Sequence, residues 1–145
     1  MSYSGGPYLK DAPLPNTKDW DTREWWEHVK RHELVVQRCS DCGTFRHAPA
    51  PVCWKCRSFN YGWEPVSGKG VVYSWTIARH PAHPSVRDKV PYNILIVELP
   101  DAENIRMVGN LLDAAEDEIE IGMPVQVVFE DIDDEVTLPQ WRKGG

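Results

Sequence analysis

The feature that most constrains this chain is the spacing of its cysteines: Cys39-x2-Cys42, ten intervening residues, then Cys53-x2-Cys56. A C-x2-C turn aims two thiolates at one point, with backbone amides available to the sulfurs. Two such turns facing each other complete a tetrahedral sulfur site. Gly43, directly after Cys42, supplies the permissive backbone that such a knuckle uses. Two local disulfides fit poorly in a reducing compartment. A thioredoxin-type redox pair needs a strand before it and a helix after it, and neither Pro49-Ala50-Pro51 nor Arg57-Ser58-Phe59 provides that. Iron can occupy the same sulfur-only geometry, but zinc is the expected ion. Four sulfurs leave no position for water, so the site is expected to be structural, with its binding energy part of the folding energy.

The remaining composition narrows the function. At 145 residues the chain has the size of one ordinary domain or two very small ones. Residues 1–79 carry eleven Lys/Arg against eight Asp/Glu, and residues 80–145 carry five against fourteen. A nucleic-acid binder needs a basic surface to neutralise phosphates, and the acidic half offers none. No apolar run is long enough for a membrane helix. The N-terminus lacks the charged and apolar regions of a signal peptide, so the expected location is the cytoplasm.

Residues 1–19, with Gly5-Gly6-Pro7, Pro13 and Pro15, read as an extended arm. Residues 22–32 read as an amphipathic helix bearing Trp25, Trp26 and Val29, with Asp21 and Glu24 placed for a capping box. His28 and His32 share a face of it but have no third ligand at a matching offset, so a solvent- or partner-facing role is expected. Residues 33–64, rich in Pro, Gly and aromatics, read as a loop-rich module stapled by metal. Five β-patterned runs follow: 71–77, 93–99, 105–112, 124–130 and 136–141. The second and third are expected to form a hairpin, and the set to form a small closed barrel with a bulge or tight bend at Gly109. The domain reading is therefore an arm at 1–19, helix plus ribbon at 20–64, and a barrel at 65–145.

Between the first two runs lies Arg79-His80-Pro81-Ala82-His83-Pro84-Ser85-Val86-Arg87-Asp88-Lys89, where histidines and cations gather. It reads either as a proline-stiffened crossover or as a loop for a phosphate, a carboxylate or a partner. Nothing assembles a Ser/His/Asp set, a glycine-rich phosphate loop or an open metal motif. Independent catalysis is not expected.

Taken in order, several motifs resemble one family. They are Trp25-Trp26-Glu27, Cys39-Ser-Asp-Cys42-Gly43, Cys53-x-x-Cys56, Trp63-Glu64, Ser67-Gly68-x-Gly70-x-Val72-Tyr73-Ser74-Trp75-Thr76, Pro91-Tyr92, Val97-Glu98-Leu99, Met107-Val108-Gly109-Asn110-Leu111 and Ile121-Gly122-Met123-Pro124-Val125. The series is similar to the DUF35 family over residues 20–132. That resemblance implies a mainly β fold: an N-terminal helix and rubredoxin-like zinc ribbon, then a five-stranded OB-fold barrel. It also implies a non-catalytic subunit beside a thiolase-like or aldolase enzyme of acyl-CoA metabolism, in a hetero-oligomer. With no hydratase sequence in this chain, it is expected to act as a separate polypeptide. CoA contacts would fall on Arg79, His80, His83 and Arg87, with Lys89 and the ribbon cations Arg38, Arg46, Lys55 and Arg57 as further candidates. The rival reading is a nucleic-acid-binding protein, since zinc ribbons and OB-folds both serve that purpose.

Overall fold

The computed structural model describes residues 6–144. One helix, α1 (Arg23–Lys30), precedes eight strands: β1 (Val35–Cys39), β2 (Phe45–Arg46), β3 (Tyr61–Pro65), β4 (Lys69–Ala78), β5 (Tyr92–Leu99), β6 (Ile105–Gly109), β7 (Pro124–Asp131) and β8 (Thr137–Lys143). They form a three-stranded sheet, β2-β1-β3, and a five-stranded sheet, β6-β5-β4-β7-β8, all antiparallel within each sheet. The fold is mainly β, as expected. The ribbon holds more regular structure than its composition suggested: β3 pairs with the whole of β1, from Val35 opposite Pro65 to Cys39 opposite Tyr61.

The larger sheet curls into an OB-like barrel. Alternation drives it: along β5, Asn93, Leu95, Val97 and Leu99 point inward while the residues between them are half-buried. β5 and β6 form the expected hairpin, turning through a short helical turn at Pro100–Ala102. β6 and β8 are the two edges, and the chain just beyond β6 meets β8 at a parallel bridge, Leu111 to Trp141. There Leu112 N donates to Trp141 O (2.8 Å) and Trp141 N donates to Asn110 O (3.0 Å).

Two local expectations need correcting. The register break lies in β4 between Val72 and Ser74, not at Gly109. Gly109 ends β6 for a packing reason instead: a Cβ there would stand 2.7 Å from the Trp141 indole. The capping box on α1 does not form either. Thr22 occupies the cap position without a side-chain cap bond. Glu24 accepts from Tyr61 Oη and Trp63 Nε1, each at 2.9 Å, so it ties the helix to β3.

A single core runs through both sheets. Trp25, Val29, Val36 and Phe45 join the same buried cluster as Leu95, Val97, Met107, Phe129 and Trp141. Trp25 and Val29 lie four apart on one face of α1. Trp25 Nε1 donates to Val35 O at 2.9 Å, which satisfies its buried donor. Burying such a side chain removes roughly 150–250 Å² from water, worth about 5 kcal/mol as an upper bound.

The part of the predicted arm within the described residues lies on the barrel; its first five residues fall outside them. Tyr8 N donates to Glu130 Oε2 (2.9 Å), and Tyr8 Oη accepts from Asn93 N (3.1 Å) and Asn93 Nδ2 (3.0 Å). Asn110 Nδ2 donates to Asn93 O, Gln140 Nε2 to Asn110 Oδ1 (2.9 Å), and Gln140 Nε2 also to Glu130 Oε1 (3.4 Å). These contacts close a ring through Tyr8, Asn93, Asn110, Gln140 and Glu130 across the barrel seam.

Candidate metal centre and groove

The two knuckles converge as their spacing requires. All four sulfurs lie within 4.8 Å of one another, with Cys39 Sγ 3.5 Å from Cys56 Sγ and Cys42 Sγ 3.6 Å from Cys53 Sγ. A disulfide needs about 2.05 Å, so these are four free thiols. Tetrahedral ligands at a metal–sulfur distance of about 2.3 Å stand roughly 3.8 Å apart, close to the observed spacing. The donor set therefore fits a zinc ion held for structural purposes.

The knuckles are backbone copies of each other. Cys39 N donates to Thr44 O and Cys53 N to Ser58 O, both at 2.9 Å. Gly43 N donates to Cys39 O (3.0 Å) and Arg57 N to Cys53 O (2.9 Å). Both turns close through a left-handed residue, Gly43 at φ 76° and Arg57 at φ 65°. The amides aimed at sulfur have an electrostatic effect. The Cys42 amide leads in holding the Cys39 thiol below its ordinary value, and the Cys56 amide does so for Cys53. At Cys56 the Ser58 amide also favours the thiolate, yet burial and the three neighbouring sulfurs push the group up to about 12. Crowded thiolates repel one another, and a divalent cation removes that repulsion.

A second feature lies where the barrel seam opens. Between α1, residues 47–49, β6 and β8 is a groove of about 360 Å³, walled by Trp25, Trp26, His47, Val108, Leu138 and Trp141 among others. Its walls are mostly apolar. His47 Nδ1 and Trp141 Nε1 are buried there without a hydrogen-bond partner among the described residues. Burial holds His47 down to about 4, so the imidazole is neutral near pH 7. The sequence carried no local signal for this groove: its lining comes from five separated segments, Ile94 of β5 included, and His47 sits in a run that reads only as loop.

The sequence-predicted residues are placed as follows. Arg79 pairs with Glu116. The ring of His83 accepts from Ser85 N at 3.1 Å and lies 2.7 Å from Ser85 Oγ, capping the short helical turn Pro84–Val86. His80 and Arg87 are exposed. Val86 is buried, so the loop is pinned to the barrel. None of these residues lines the groove. His28 and His32 do not form a metal pair. His28 faces Glu33 and Arg31, whereas His32 stacks on Phe129 (centroids 4.9 Å apart, rings 7° from parallel) and contacts Asp131 at 2.9 Å.

This geometry can be set against known proteins. The family profile of the ChsH2 rubredoxin-like zinc ribbon domain matches residues 26–62, and that of the ChsH2 C-terminal OB-fold domain matches residues 63–130. A DUF35 domain-containing scaffold protein of Methanocaldococcus jannaschii is 38% identical over 77% of this chain and 81% of its own length. The chain belongs to the DUF35 family. Two longer relatives share its sequence. The probable enoyl-CoA hydratase alpha subunit of Thermomonospora curvata is 44% identical over 92% of this chain and 40% of its own length. The 3-oxo-4,17-pregnadiene-20-carboxyl-CoA hydratase alpha subunit of Mycobacterium tuberculosis is 37% identical over 86% and 38%. The chain thus spans about two fifths of the length of these relatives. Among solved structures, a chain of an Ltp2-ChsH2(DUF35) aldolase superposes with a TM-score of 0.77 at 42% identity, covering 91% of this chain and 98% of that one. A DUF35 protein of Sulfolobus solfataricus, 13% identical with a TM-score of 0.56, shares the fold.

Proposed function

We propose that this DUF35 chain is a non-catalytic accessory subunit of a thiolase-fold enzyme, a thiolase or retro-aldolase, acting on acyl-CoA thioesters in lipid or steroid side-chain metabolism. The observation that carries the reading is the likeness to the DUF35 chain of the aldolase structure, which is nearly complete on both sides. The chemistry of the chain supports it. A metal site with four sulfur ligands has no open position for substrate, and the groove is apolar, with a neutral imidazole and no carboxylate pair. Such a chain supplies an interface, and its partner supplies the nucleophile or base.

Contact with CoA, where it occurs, falls to the 79–89 loop. Arg87 and His80 are free to meet a phosphate, while Arg79 would first have to leave Glu116. Retrieval of the tagged chain from its native host should bring down a thiolase-fold subunit. Alone, the chain should turn over no acyl-CoA, and added to that subunit it should raise activity or half-life. Retrieval of only proteins unrelated to acyl-CoA chemistry would overturn the proposal. Unchanged CoA affinity of the complex after Arg79→Ala and Arg87→Ala would remove the loop from it.

A further inference from the structure

The second knuckle carries an unusual surface. Trp54, between Cys53 and Cys56, is 72% exposed, and Phe59, just beyond them, is 73% exposed. Lys55 and Arg57 lie between these residues in the sequence and are exposed as well. Neither cation forms an ion pair among the described residues. The nearby acid, Asp41, is already engaged by Ser58 Oγ and Asn60 Nδ2. Those neutral donors hold Asp41 as an anion, so the tip is aromatic and carries two cations against one nearby carboxylate, neither cation ion-paired among the described residues.

The backbone beneath it is stiff. The bonds Cys53 N to Ser58 O and Arg57 N to Cys53 O lock the turn that bears Trp54, Lys55 and Arg57, and Phe59 follows directly after it. Docking through such a turn costs little ordering entropy, and large rings presented this way are the usual anchors of protein interfaces. Aromatic and cationic side chains also serve single-stranded nucleic acid. Two cations on a chain of net charge −6 make a weak phosphate surface, however. A second copy could offer its acidic barrel, but both copies carry a net charge of −6, and that like charge opposes self-association. The chemistry that remains is a protein surface with an apolar pocket rimmed by Asp or Glu.

We propose that the tip spanning Trp54 to Phe59 is the surface through which this chain docks on its catalytic subunit. Trp54 and Phe59 are the anchors, and Lys55 and Arg57 steer encounter. This rests on the accessory-subunit reading and adds where the subunit sits.

The test uses the full chain and the thiolase-fold subunit that co-purifies with it, with affinity followed by biolayer interferometry and metal content measured for every variant. Trp54→Ala with Phe59→Ala should weaken binding at least ~30-fold, the scale of a lost hot spot. Lys55→Glu with Arg57→Glu should lower the association rate about tenfold and flatten its salt dependence. Ile121→Ala, at an exposed position on the barrel, should stay within about twofold. Where the double variant loses metal, Phe59→Ser, outside the ligand turn, carries the test. Wild-type affinity in tip variants that keep their metal overturns the docking proposal and leaves the accessory reading standing. Wild-type chain that binds no thiolase-fold subunit overturns both. Salt-sensitive binding of a DNA or RNA oligonucleotide, or self-association, that is lost in the same variants assigns the tip to that occupant and overturns the proposal.

Discussion

Two residues at equivalent points of the knuckles illustrate how local geometry selects side chains. Gly43 and Arg57 each follow the second cysteine of a pair and each adopt positive φ. Glycine enters that region without steric cost, whereas a side chain with a Cβ pays about 1 kcal/mol. Gly43→Ala should therefore lower stability by roughly 1 kcal/mol. Arg57→Gly should be neutral or slightly stabilising, since relief of strain offsets the greater freedom of the unfolded chain. Chemical denaturation of the metal-loaded protein reads both. Equal destabilisation by the two changes would show that the knuckles are not copies. Retention of arginine at a strained position is consistent with its use on the docking tip.

At the level of elements, the barrel depends on its seam. The chain just beyond β6 meets β8 at the Leu111–Trp141 bridge, and the indole of Trp141, fully buried, packs where Gly109 leaves room. Gly109→Ala should force the indole aside and cost about 2 kcal/mol, in the range of overpacked cores. Lost amide-exchange protection at residues 109–112 and 141 would mark the damage, and full protection in the variant would show that the seam closes by other means. Helix α1 covers the same seam from outside. Trp25 anchors it, and Glu24 secures it to β3. The exposed carboxylate of Glu24 is held below its ordinary value by its bonds to Trp63 and Tyr61.

For the whole molecule, the shared core decides what metal removal does. Trp25, Val36 and Phe45 of the helix and ribbon pack in one cluster with the barrel residues Leu95, Phe129 and Trp141. Chelation or Cys39→Ser should unfold residues 33–64, because the staple is part of their folding energy. It should also weaken the barrel, since one wall of the core leaves with the ribbon. Hydrogen exchange with and without chelator should show full loss of protection in the ribbon and partial loss along β5 and β8. A ribbon that keeps its protection without metal would contradict the assignment.

Much of this was legible in the sequence because it rests on local rules. Cysteine spacing dictated the sulfur cluster. Runs rich in β-branched and aromatic residues marked the five barrel strands, with clear alternation along 124–130, and Trp25 and Val29 marked the buried face of α1. Strand β3 escaped notice because Tyr61-Gly62-Trp63-Glu64-Pro65 is short and partly exposed, and its pairing with β1 lies across the knuckles. Glu24 satisfied a capping rule on paper, but Tyr61 and Trp63, nearly forty residues away, offered its carboxylate two donors. The groove, the closure of the seam and the ring through Tyr8 were invisible for the same reason: each joins groups far apart in the chain. Proximity of that kind is decided by packing, and no local pattern encodes it. Local spacing and pattern were enough for the sulfur cluster and the five barrel strands; long-range packing placed ribbon and barrel around one core and left Trp54 and Phe59 outside it.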